Sequence, residues 1–369
     1  MQVEYHPAAL AERLSAFIRS SPGPSPRIGS LVGEESFNRL ALDVFAFQHK
    51  HNPAYRRFCE GRRTAPQTVH HWSQIPAVPT AAFKEQELSC LPQNDRTVVF
   101  HSSGTTEHRP SRHYHNEQSL AVYEASLWRW FAANVPGNLS RQRFLALTPP
   151  PEAAPHSSLV HMFGVIHRQL GLPGPGFLAQ VSAGNGWDLD HAQVIDALNS
   201  ATFRKEPLLI LGTAFSFVHL LDQLAQNGRR FAVPTGSRAL ETGGYKGRSR
   251  ALPKAQLHNE ITQRLGISGD AIVSEYGMSE LSSQAYARGC GQEPFAFPPW
   301  ARAQVVSPET GREVEEGETG LLRVFDLANV YSVMAIQTED LAIRRGAGFE
   351  LIGRAALAES RGCSLMPVG

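Results

Sequence analysis

The spacing of apolar residues predicts two amphipathic helices at the start of the chain. In the segment from Pro7 to Arg19, four apolar side chains share one helical face: Leu10, Leu14, Phe17 and Ile18. Nearby prolines then end this helix. A second helix is predicted from the spacing of Phe37, Leu40, Val44 and Phe47. Residues 70–79 lack this periodicity and are predicted to form a loop.

Short apolar runs alternate with helical stretches through the middle of the chain. The predicted strands are Thr97–Phe100, Phe144–Leu147, Leu208–Leu211, Ser237–Leu240 and Ala271–Ser274. The predicted helices are Glu117–Ala133, Ser157–Leu170, Asp190–Ser200, Phe215–Gln226 and Pro253–Leu265. Strands that are separated by helices of roughly 10–15 residues favour parallel βαβ units. From Ala301 onward, short β-like runs between glycine and acidic turns predict an antiparallel subdomain instead.

This change of pattern divides the chain into three predicted parts. Residues 1–75 are expected to form a helical N-terminal region, and residues 76–300 an α/β core with parallel sheets flanked by helices. Residues 301–369 are expected to form a β-rich subdomain. The predicted fold class is therefore α/β, with an antiparallel β subdomain at the C-terminal end.

The composition is that of an ordinary soluble globular protein, because 42% of the residues are hydrophobic and 19% are charged. A net charge of +1 gives no electrostatic footprint for nucleic acid or an anionic membrane. No apolar run approaches the roughly 20 residues of a membrane span, and the first residues lack the pattern of a secretory signal. The scattered cysteines favour a reducing cytoplasm over a disulfide framework or a zinc site.

The first candidate for chemistry is the loop after the strand Thr97–Phe100. It places small hydroxylic residues around a glycine: Ser102, Ser103, Gly104, Thr105 and Thr106. Such a loop directs several backbone N–H groups and hydroxyls to one point, as in an amide nest that binds phosphate oxygens. By composition alone, an ordinary surface turn is the commoner explanation. The motifs downstream change that balance.

The second candidate is the segment Glu241–Gly247, which contains the paired glycines Gly243 and Gly244 after a predicted strand. Glycines without side chains allow a flat ring to lie against the backbone. A plain β-turn explains the same residues equally well.

The third candidate is the segment Ser274–Glu280, which follows a predicted parallel strand. In open α/β sheets, ligands bind beyond the carboxyl ends of such strands. Tyr276 offers a stacking face, Ser279 a hydroxyl for a phosphate, and Glu280 a hard oxygen for Mg²⁺. The alternative is a capped helix start with Ser279 as N-cap.

Two further candidates lie near the C-terminal end. Asp340, in the segment 337–341, has the carboxylate geometry to accept two hydrogen bonds from a ribose diol. Cys363 lies beside Arg361 and a glycine, and a neighbouring cation favours the nucleophilic thiolate. An incidental cysteine is the alternative, and Cys290 is a rival because it also has arginine and glycine neighbours.

Other chemistries find less support. His108, His113 and His115 lie close together in sequence, but no carboxylate or thiol completes a zinc site nearby. His161 is instead expected to line a pocket for an acyl group. The sequence contains neither the Gly-x-Ser-x-Gly elbow of hydrolases nor a Walker-type phosphate loop.

Taken in order, the motifs resemble those of the adenylate-forming, acyl-CoA synthetase-like superfamily. The matching segments are Ser102–Thr106, Tyr276–Glu280, Thr338–Asp340 and Gly353–Arg354. Three further segments resemble one branch, the LuxE-type acyl-protein synthetases: Val78–Lys84, Glu241–Gly247 and Arg361–Leu365. The resemblance runs from about Pro76 to the end of the sequence.

The resemblance implies that ATP and Mg²⁺ are cofactors and assigns a role to each motif. It implies that the loop Ser102–Thr106 holds the β- and γ-phosphates, and that Gly243 and Gly244 enclose adenine together with Tyr276. It further implies that Ser279 contacts the α-phosphate and that Glu280 holds Mg²⁺. Ribose contacts are implied for Asp340 and Arg354, and a role as acyl carrier is implied for Cys363.

Two features depart from the superfamily pattern. Glu107 places an acid beside the expected triphosphate, which Arg109 and Arg112 would offset. The sequence also ends near the superfamily hinge, so the mobile C-terminal lid domain with its catalytic lysine is expected to be absent, as is usual in the LuxE-type branch.

The sequence therefore predicts an acyl-protein synthetase. It is expected to activate a carboxylic acid, with a fatty acid favoured, as acyl-AMP, and to transfer the acyl group to its own cysteine. The resemblance implies a partner protein, such as an acyl reductase, as the final acceptor. One alternative is an ATP-independent acyltransferase that uses a ready-made acyl thioester; the other is a non-catalytic nucleotide-binding subunit.

Overall fold

The computed structural model describes residues 7–21, 23, 31–102, 109–135, 137, 142–171, 176–182, 186–243, 252–289 and 293–355. Its helices are α1 (Pro7–Ser20), α2 (Leu31–His51), α3 (Pro53–Gly61), α4 (Ala82–Glu85), α5 (Glu117–Asn134), α6 (Ser158–Leu170), α7 (His191–Arg204), α8 (Ala214–Gln226) and α9 (Lys254–Leu265). Among these described helices, none is long and apolar enough to cross a membrane.

The strands in chain order are β1 (Val78–Pro79), β2 (Val98–His101), β3 (Arg112–His115), β4 (Arg143–Ala146), β5 (Ala179–Val181), β6 (Trp187–Leu189), β7 (Leu208–Thr213), β8 (Arg238–Thr242), β9 (Ile272–Tyr276), β10 (Ala285–Arg288), β11 (Ala301–Val306), β12 (Thr319–Asp326), β13 (Ala335–Arg345) and β14 (Gly348–Arg354). The helices and strands predicted from periodicity are present with ends shifted by a few residues.

Polar side chains fix where several helices begin. Asn116 accepts a hydrogen bond from the Ser119 backbone N–H at the start of α5. Ser157, Asp190 and Thr213 cap α6, α7 and α8 in the same way. Each cap satisfies a backbone donor that has no partner within its helix, and such caps typically contribute ~1 kcal/mol.

The central sheet has the order β10-β9-β8-β7-β4. Strands β4, β7, β8 and β9 are parallel, as predicted, and β10 runs antiparallel to β9. Strand β7 is buried on both faces: Leu208 and Ile210 pack with α7, α8 and α9, whereas Leu209 and Leu211 belong to the core on the other side. Its continuous apolar run therefore reflects a strand that is covered on both faces.

The second sheet has the order β1-β13-β12-β11, with β14 also paired to β13. The antiparallel pairing of β11 to β14 confirms the prediction for the residues after Ala301. The prediction of a loop over residues 70–79 was wrong in part, because Val78 pairs in parallel with Ile336 of β13. A two-residue strand whose partner lies far along the chain leaves no local periodicity to detect.

Strand β2 does not join the parallel sheet, contrary to the prediction that grouped it with the βαβ units. It pairs antiparallel with β3, so that Phe100 lies opposite His113 and Val98 opposite His115. Strand β3 escaped prediction because its inward side chains are histidines; His113 and His115 are both 2% exposed. Buried histidines do not resemble the apolar alternation of a strand.

Helix α2 is tied to the C-terminal half of the chain through the fully buried side chain of Gln48. Its Nε2 donates to the carbonyl oxygens of Asn329 (2.9 Å) and Val330 (3.0 Å). Its Oε1 accepts a hydrogen bond from the backbone N–H of Met334 (3.0 Å). One side chain therefore satisfies three buried backbone groups.

We expect Gln48→Ala to lower the free energy of unfolding by about 2–4 kcal/mol, because buried backbone groups lose their partners. Urea denaturation would measure the change. The control Gln226→Ala, at an exposed position at the end of α8, is expected to stay within about 0.5 kcal/mol of the wild type. Equal stability of the two variants would contradict the anchoring role of Gln48.

Candidate active site

Some of the predicted site residues lie outside the part of the chain that the structure describes. These are Ser103, Gly104, Thr105, Thr106, Glu107, Gly244, Cys290 and Cys363. Their roles stay predictions. The structure describes the other predicted site residues, which are Ser102, Gly243, Tyr276, Ser279, Glu280, Asp340 and Arg354.

Ser102 follows β2 and is bound to the start of the returning strand. Its backbone N–H donates to the Ser111 carbonyl (3.2 Å), and its Oγ accepts from the Ser111 backbone N–H (3.0 Å). The predicted phosphate loop thus connects β2 to β3. The two strands pair in an antiparallel hairpin, called the β2–β3 hairpin below.

This hairpin contacts the Ser279 segment. The Oγ atoms of Ser111 and Ser279 are 3.5 Å apart. The Nδ1 of His113 lies 2.8 Å from the Ser279 carbonyl oxygen. Burial lowers the pKa of His113 to about 4, so the imidazole is neutral at neutral pH and its Nδ1–H donates to that carbonyl. The first and third motifs therefore lie together.

The segment from Gly277 to Gln284 is irregular rather than helical, so the alternative interpretation of Ser279 as a helix N-cap was wrong. Its residues from Ser279 to Gln284 are nevertheless all buried. Asp326 accepts from the Ser282 backbone N–H (2.8 Å) and the Ser283 hydroxyl (2.7 Å). Asn329 donates to the Glu280 carbonyl oxygen (2.8 Å). These two side chains supply the partners that regular structure would otherwise supply.

The Glu280 carboxylate has a donor set that fits Mg²⁺. It is 6% exposed, and its Oε2 accepts a hydrogen bond from the Ser279 hydroxyl at 3.1 Å. The described residues contain no group of three His, Cys, Asp or Glu side chains that forms a metal site by itself. A single carboxylate suits Mg²⁺, which commonly takes its other ligands from substrate phosphates and water.

Tyr276 and Asp340 connect the two sheets. The Tyr276 hydroxyl donates to the Asp340 Oδ2 over 2.7 Å. Asp340 is paired across the β13–β14 ladder with Arg354, whose Nε lies 3.6 Å from the Asp340 Oδ1. Since the Arg354 side chain is 80% exposed, this ion pair contributes little to stability and leaves the guanidinium accessible. The segment Ser274–Glu280, Asp340 and Arg354 thus meet at one place.

Gly243 follows β8 at the carboxyl end of the central sheet. Its φ of +70° lies in the left-handed region, where glycine is favoured over any residue with a Cβ. Thr242 and Glu275, the residues before Gly243 and Tyr276, are paired across β8 and β9. Gly243 and Tyr276 therefore lie next to each other at the carboxyl edge of the parallel strands, where α/β sheets bind ligands.

The described cysteines are poor nucleophiles. Burial raises the pKa of the Cys59 thiol to about 11 and also raises that of Cys90. Both are free thiols. A thiolate at neutral pH is therefore not expected at either position.

A buried charged network at Glu241 was not predicted. Its Oε1 accepts from the Ser274 hydroxyl (2.6 Å) and lies 3.2 Å from His258 Nε2 and 3.7 Å from Lys254 Nζ. Burial alone raises the pKa of Glu241, but these partners outweigh it and the net pKa is lowered. The sequence of this strand, with Arg238, Glu241 and Thr242 around two apolar residues, gave no sign of the network.

Glu275 is a second buried carboxyl group that was missed. The Thr242 hydroxyl donates to its Oε2. Burial raises the pKa of Glu275 to about 7, and the nearby charge of Glu241 acts in the same direction, against the Thr242 hydrogen bond and Lys254. A Cβ at position 277 would overlap the Glu275 Oε1, so any other residue there would displace this carboxyl group.

The raised pKa of Glu275 predicts a loss of stability as the pH rises. The folded protein holds the proton up to about pH 7, whereas a free glutamate releases it near pH 4.5. The stabilisation is therefore present below pH ~4.5 and is lost as the pH rises to ~7. We expect Glu275→Gln to flatten the melting temperature across this window, relative to the wild type. An unchanged pH profile in scanning calorimetry would contradict a raised pKa.

Comparison with known proteins gives a family match and distant relatives. The family model described as "Acyl-protein synthetase, LuxE" matches residues 32–367. Long-chain-fatty-acid–luciferin-component ligases from Aliivibrio fischeri and Vibrio harveyi are each 21% identical to the chain. The first alignment covers 90% of this chain and 88% of the relative, and the second covers 89% and 86%.

Solved structures show the same fold. 2-Hydroxyisobutyryl-CoA ligase, in complex with 2-HIB-AMP and CoA in the thioesterification state, superposes with a TM-score of 0.68 and 15% identity. That superposition covers 95% of this chain and 74% of the ligase. The postadenylation state of the ligase gives a TM-score of 0.64 at 14% identity, over 95% of this chain and 73% of the ligase. The likeness confirms the predicted α/β fold of adenylate-forming ligases.

Because the family match spans most of the sequence, the chain belongs to the LuxE acyl-protein synthetase family of ligases.

Proposed function

We propose that this protein uses ATP to activate a carboxylic acid as an acyl-AMP. The observation that carries the proposal is the contact between the β2–β3 hairpin and the Ser279–Glu280 segment, beside Tyr276 and Asp340. The described start of a loop with phosphate-binding composition, a carboxylate suited to Mg²⁺ and a carboxylate suited to a ribose diol thus lie near one another, as the binding of one ATP molecule would require. Relatives named as fatty-acid ligases support an acid as the substrate, with a fatty acid as the first expectation.

The proposed adenylation is an in-line displacement at the α-phosphorus. A carboxylate oxygen of the acid attacks the α-phosphorus, and the bond from that phosphorus to the bridging oxygen of the β-phosphate breaks. Pyrophosphate leaves with the electron pair. Mg²⁺, when bound, neutralises charge on the phosphate oxygens.

The residues of this chain would position the nucleotide. Ser279 would donate its hydroxyl to the α-phosphate, and Glu280 would hold Mg²⁺. The loop from Ser102 to Thr106 would surround the β- and γ-phosphates. Gly243, Gly244 and Tyr276 would enclose adenine, and Asp340 with Arg354 would bind the ribose. The buried surroundings of Ser279 and Glu280 favour electrostatic stabilisation, since water screens charges there weakly.

We further propose that Cys363 then accepts the acyl group. Its thiolate would attack the carbonyl carbon of the acyl-AMP, the bond from that carbon to the phosphate oxygen would break, and AMP would leave with the electron pair. The thioester would pass its acyl group to a partner protein, such as an acyl reductase. Arg361 beside the thiol favours this site over the described cysteines, whose pKa values are raised.

The acyl transfer predicts a covalent adduct that mass spectrometry detects. Incubation with ATP, Mg²⁺ and a panel of carboxylic acids is expected to add one acyl mass to the wild type and none to Cys363→Ala. Cys290→Ala serves as the matched control and is expected to acylate normally. Acylation of Cys363→Ala would assign the adduct to another residue, with Cys290 next. Acylation from an acyl thioester without ATP would favour the acyltransferase alternative.

The role of Glu280 predicts a magnesium-linked defect. We expect Glu280→Gln to lower acid-dependent pyrophosphate release on the order of 100-fold, because a neutral amide replaces the proposed ligand. Raised Mg²⁺ is expected to recover part of the loss. The exposed Glu309→Gln is the matched control and should retain wild-type rates. Unchanged turnover and Mg²⁺ dependence in Glu280→Gln would refute this assignment.

A further inference from the structure

Three buried polar side chains form a row across neighbouring strands of the central sheet. Thr242 of β8 is paired with Glu275 of β9, and Glu275 is paired with Tyr286 of β10. Thr242, Glu275 and Tyr286 are 5%, 6% and 2% exposed. Since residues paired across strands share a face of the sheet, all three project towards the same side. Together with Gln284, they are called the polar row below.

Two members of the polar row lack hydrogen-bond partners. Within the part of the chain that the structure describes, the Tyr286 hydroxyl and the Gln284 Oε1 are buried and unsatisfied. Gln284 is 5% exposed. A buried polar group without a partner costs free energy, and such groups are therefore rare unless a ligand or water completes them.

The two residues that carry the unsatisfied atoms are neighbours of Glu275. A Cβ placed on Gly277 would meet both the Glu275 Oε1 and the Gln284 Cγ, so these two side chains lie against the same residue. Tyr286 and Tyr123 of helix α5 belong to one buried core, so α5 covers this side of the sheet. The polar row is thus one site between the sheet and α5.

The polar row also borders the proposed reaction centre. Glu275 directly precedes Tyr276, and Thr242 directly precedes Gly243, the residues assigned to adenine. Both lie at the carboxyl ends of parallel strands, where α/β sheets bind ligands. A substrate whose carboxylate approaches the α-phosphate would place its remaining atoms beside this edge.

We propose that the polar row binds a hydroxyl or amino group carried by the carboxylic acid that the enzyme activates. The proposal rests on the proposed acid activation and narrows its substrate class. The Gln284 and Glu275 oxygens accept hydrogen bonds, and Tyr286 both donates and accepts, so a ligand that carries a donor completes the row. An unsubstituted alkyl chain would leave these groups unpaired. A site built to pair a substrate hydroxyl discriminates strongly against the analogue that lacks it.

The test is ATP–pyrophosphate exchange with matched pairs of acids. Each pair contains an unsubstituted acid and its hydroxyl or amino derivative: butyric acid with its β-hydroxy and β-amino forms, a long-chain fatty acid with its β- and ω-hydroxy forms, and benzoic acid with its para-hydroxy and para-amino forms. The enzymes are wild type, Tyr286→Phe, Glu275→Gln and Tyr55→Phe. Tyr55 is the matched control, because it is a buried tyrosine whose hydroxyl is bound elsewhere, to the Pro76 carbonyl.

We expect kcat/KM in the wild type to be at least about tenfold higher for a substituted acid than for its parent. Tyr286→Phe should reduce that ratio at least about fivefold, and Tyr55→Phe should leave it unchanged. A larger loss in Glu275→Gln for amino than for hydroxy acids would identify an ammonium group as the ligand, and equal losses would identify a hydroxyl group. In either case the row binds the substrate.

Preference for the unsubstituted acid in every pair would overturn the proposal while leaving the acid activation intact. A ratio that Tyr286→Phe does not change would also overturn it, as expected if the row holds only a buried water. Absence of exchange with every acid would instead reject the proposed function, and this inference with it.

Thermal melting without substrate gives an independent readout. Tyr286→Phe is expected to melt at or above the wild-type temperature, because it removes an unsatisfied hydroxyl. Tyr55→Phe is expected to melt lower, because it leaves the Pro76 carbonyl without its donor. A clear loss of stability in Tyr286→Phe would show that its hydroxyl is already satisfied in the free protein, and would count against a ligand-binding role.

Discussion

The satisfaction of buried backbone groups in the segment Gly277–Gln284 is the constraint on which the rest of the site depends. An irregular segment inside the core has no helix or sheet ladder to pair its N–H and carbonyl groups. Asp326 accepts from the Ser282 N–H and the Ser283 hydroxyl, and Asn329 donates to the Glu280 carbonyl. This pairing places the carboxyl group of Asp326 deep in the protein, where burial raises its pKa to about 6.

This arrangement couples distant parts of the chain to the site. Asn329 is itself fixed through its carbonyl by Gln48 of helix α2, which also binds the Met334 N–H. On the other side of the segment, the neutral His113 of the hairpin holds the Ser279 carbonyl. Ser279 and Glu280 are thus positioned by residues that lie outside the motifs assigned to ATP. Positioning of this kind limits the reorganisation needed when charge develops on a phosphate.

Local patterns in the sequence predicted the regular elements and the motif order, but not the long-range polar contacts. The continuous apolar run of β7 identifies a buried strand by itself. By contrast, β1 is recognised only through its partner Ile336, and β3 only through the burial of His113 and His115. The buried contacts of Glu241 and Glu275 were not predicted, because a charged residue in a strand indicates no particular role until its partners are known. The resemblance to adenylate-forming enzymes implied that Tyr276 and Asp340 belong to one site, and the fold supplies the distance between them.

In the proposed reaction, a carboxylate oxygen of the substrate attacks the α-phosphorus of ATP. The most direct test uses an acid with oxygen-18 in its carboxylate, with hydroxylamine added to accept the acyl group. One labelled oxygen is expected in the phosphate of the released AMP, because the bond between the carbonyl carbon and that oxygen breaks in the second step. Unlabelled AMP, or ADP and inorganic phosphate as the products, would contradict an acyl-adenylate intermediate.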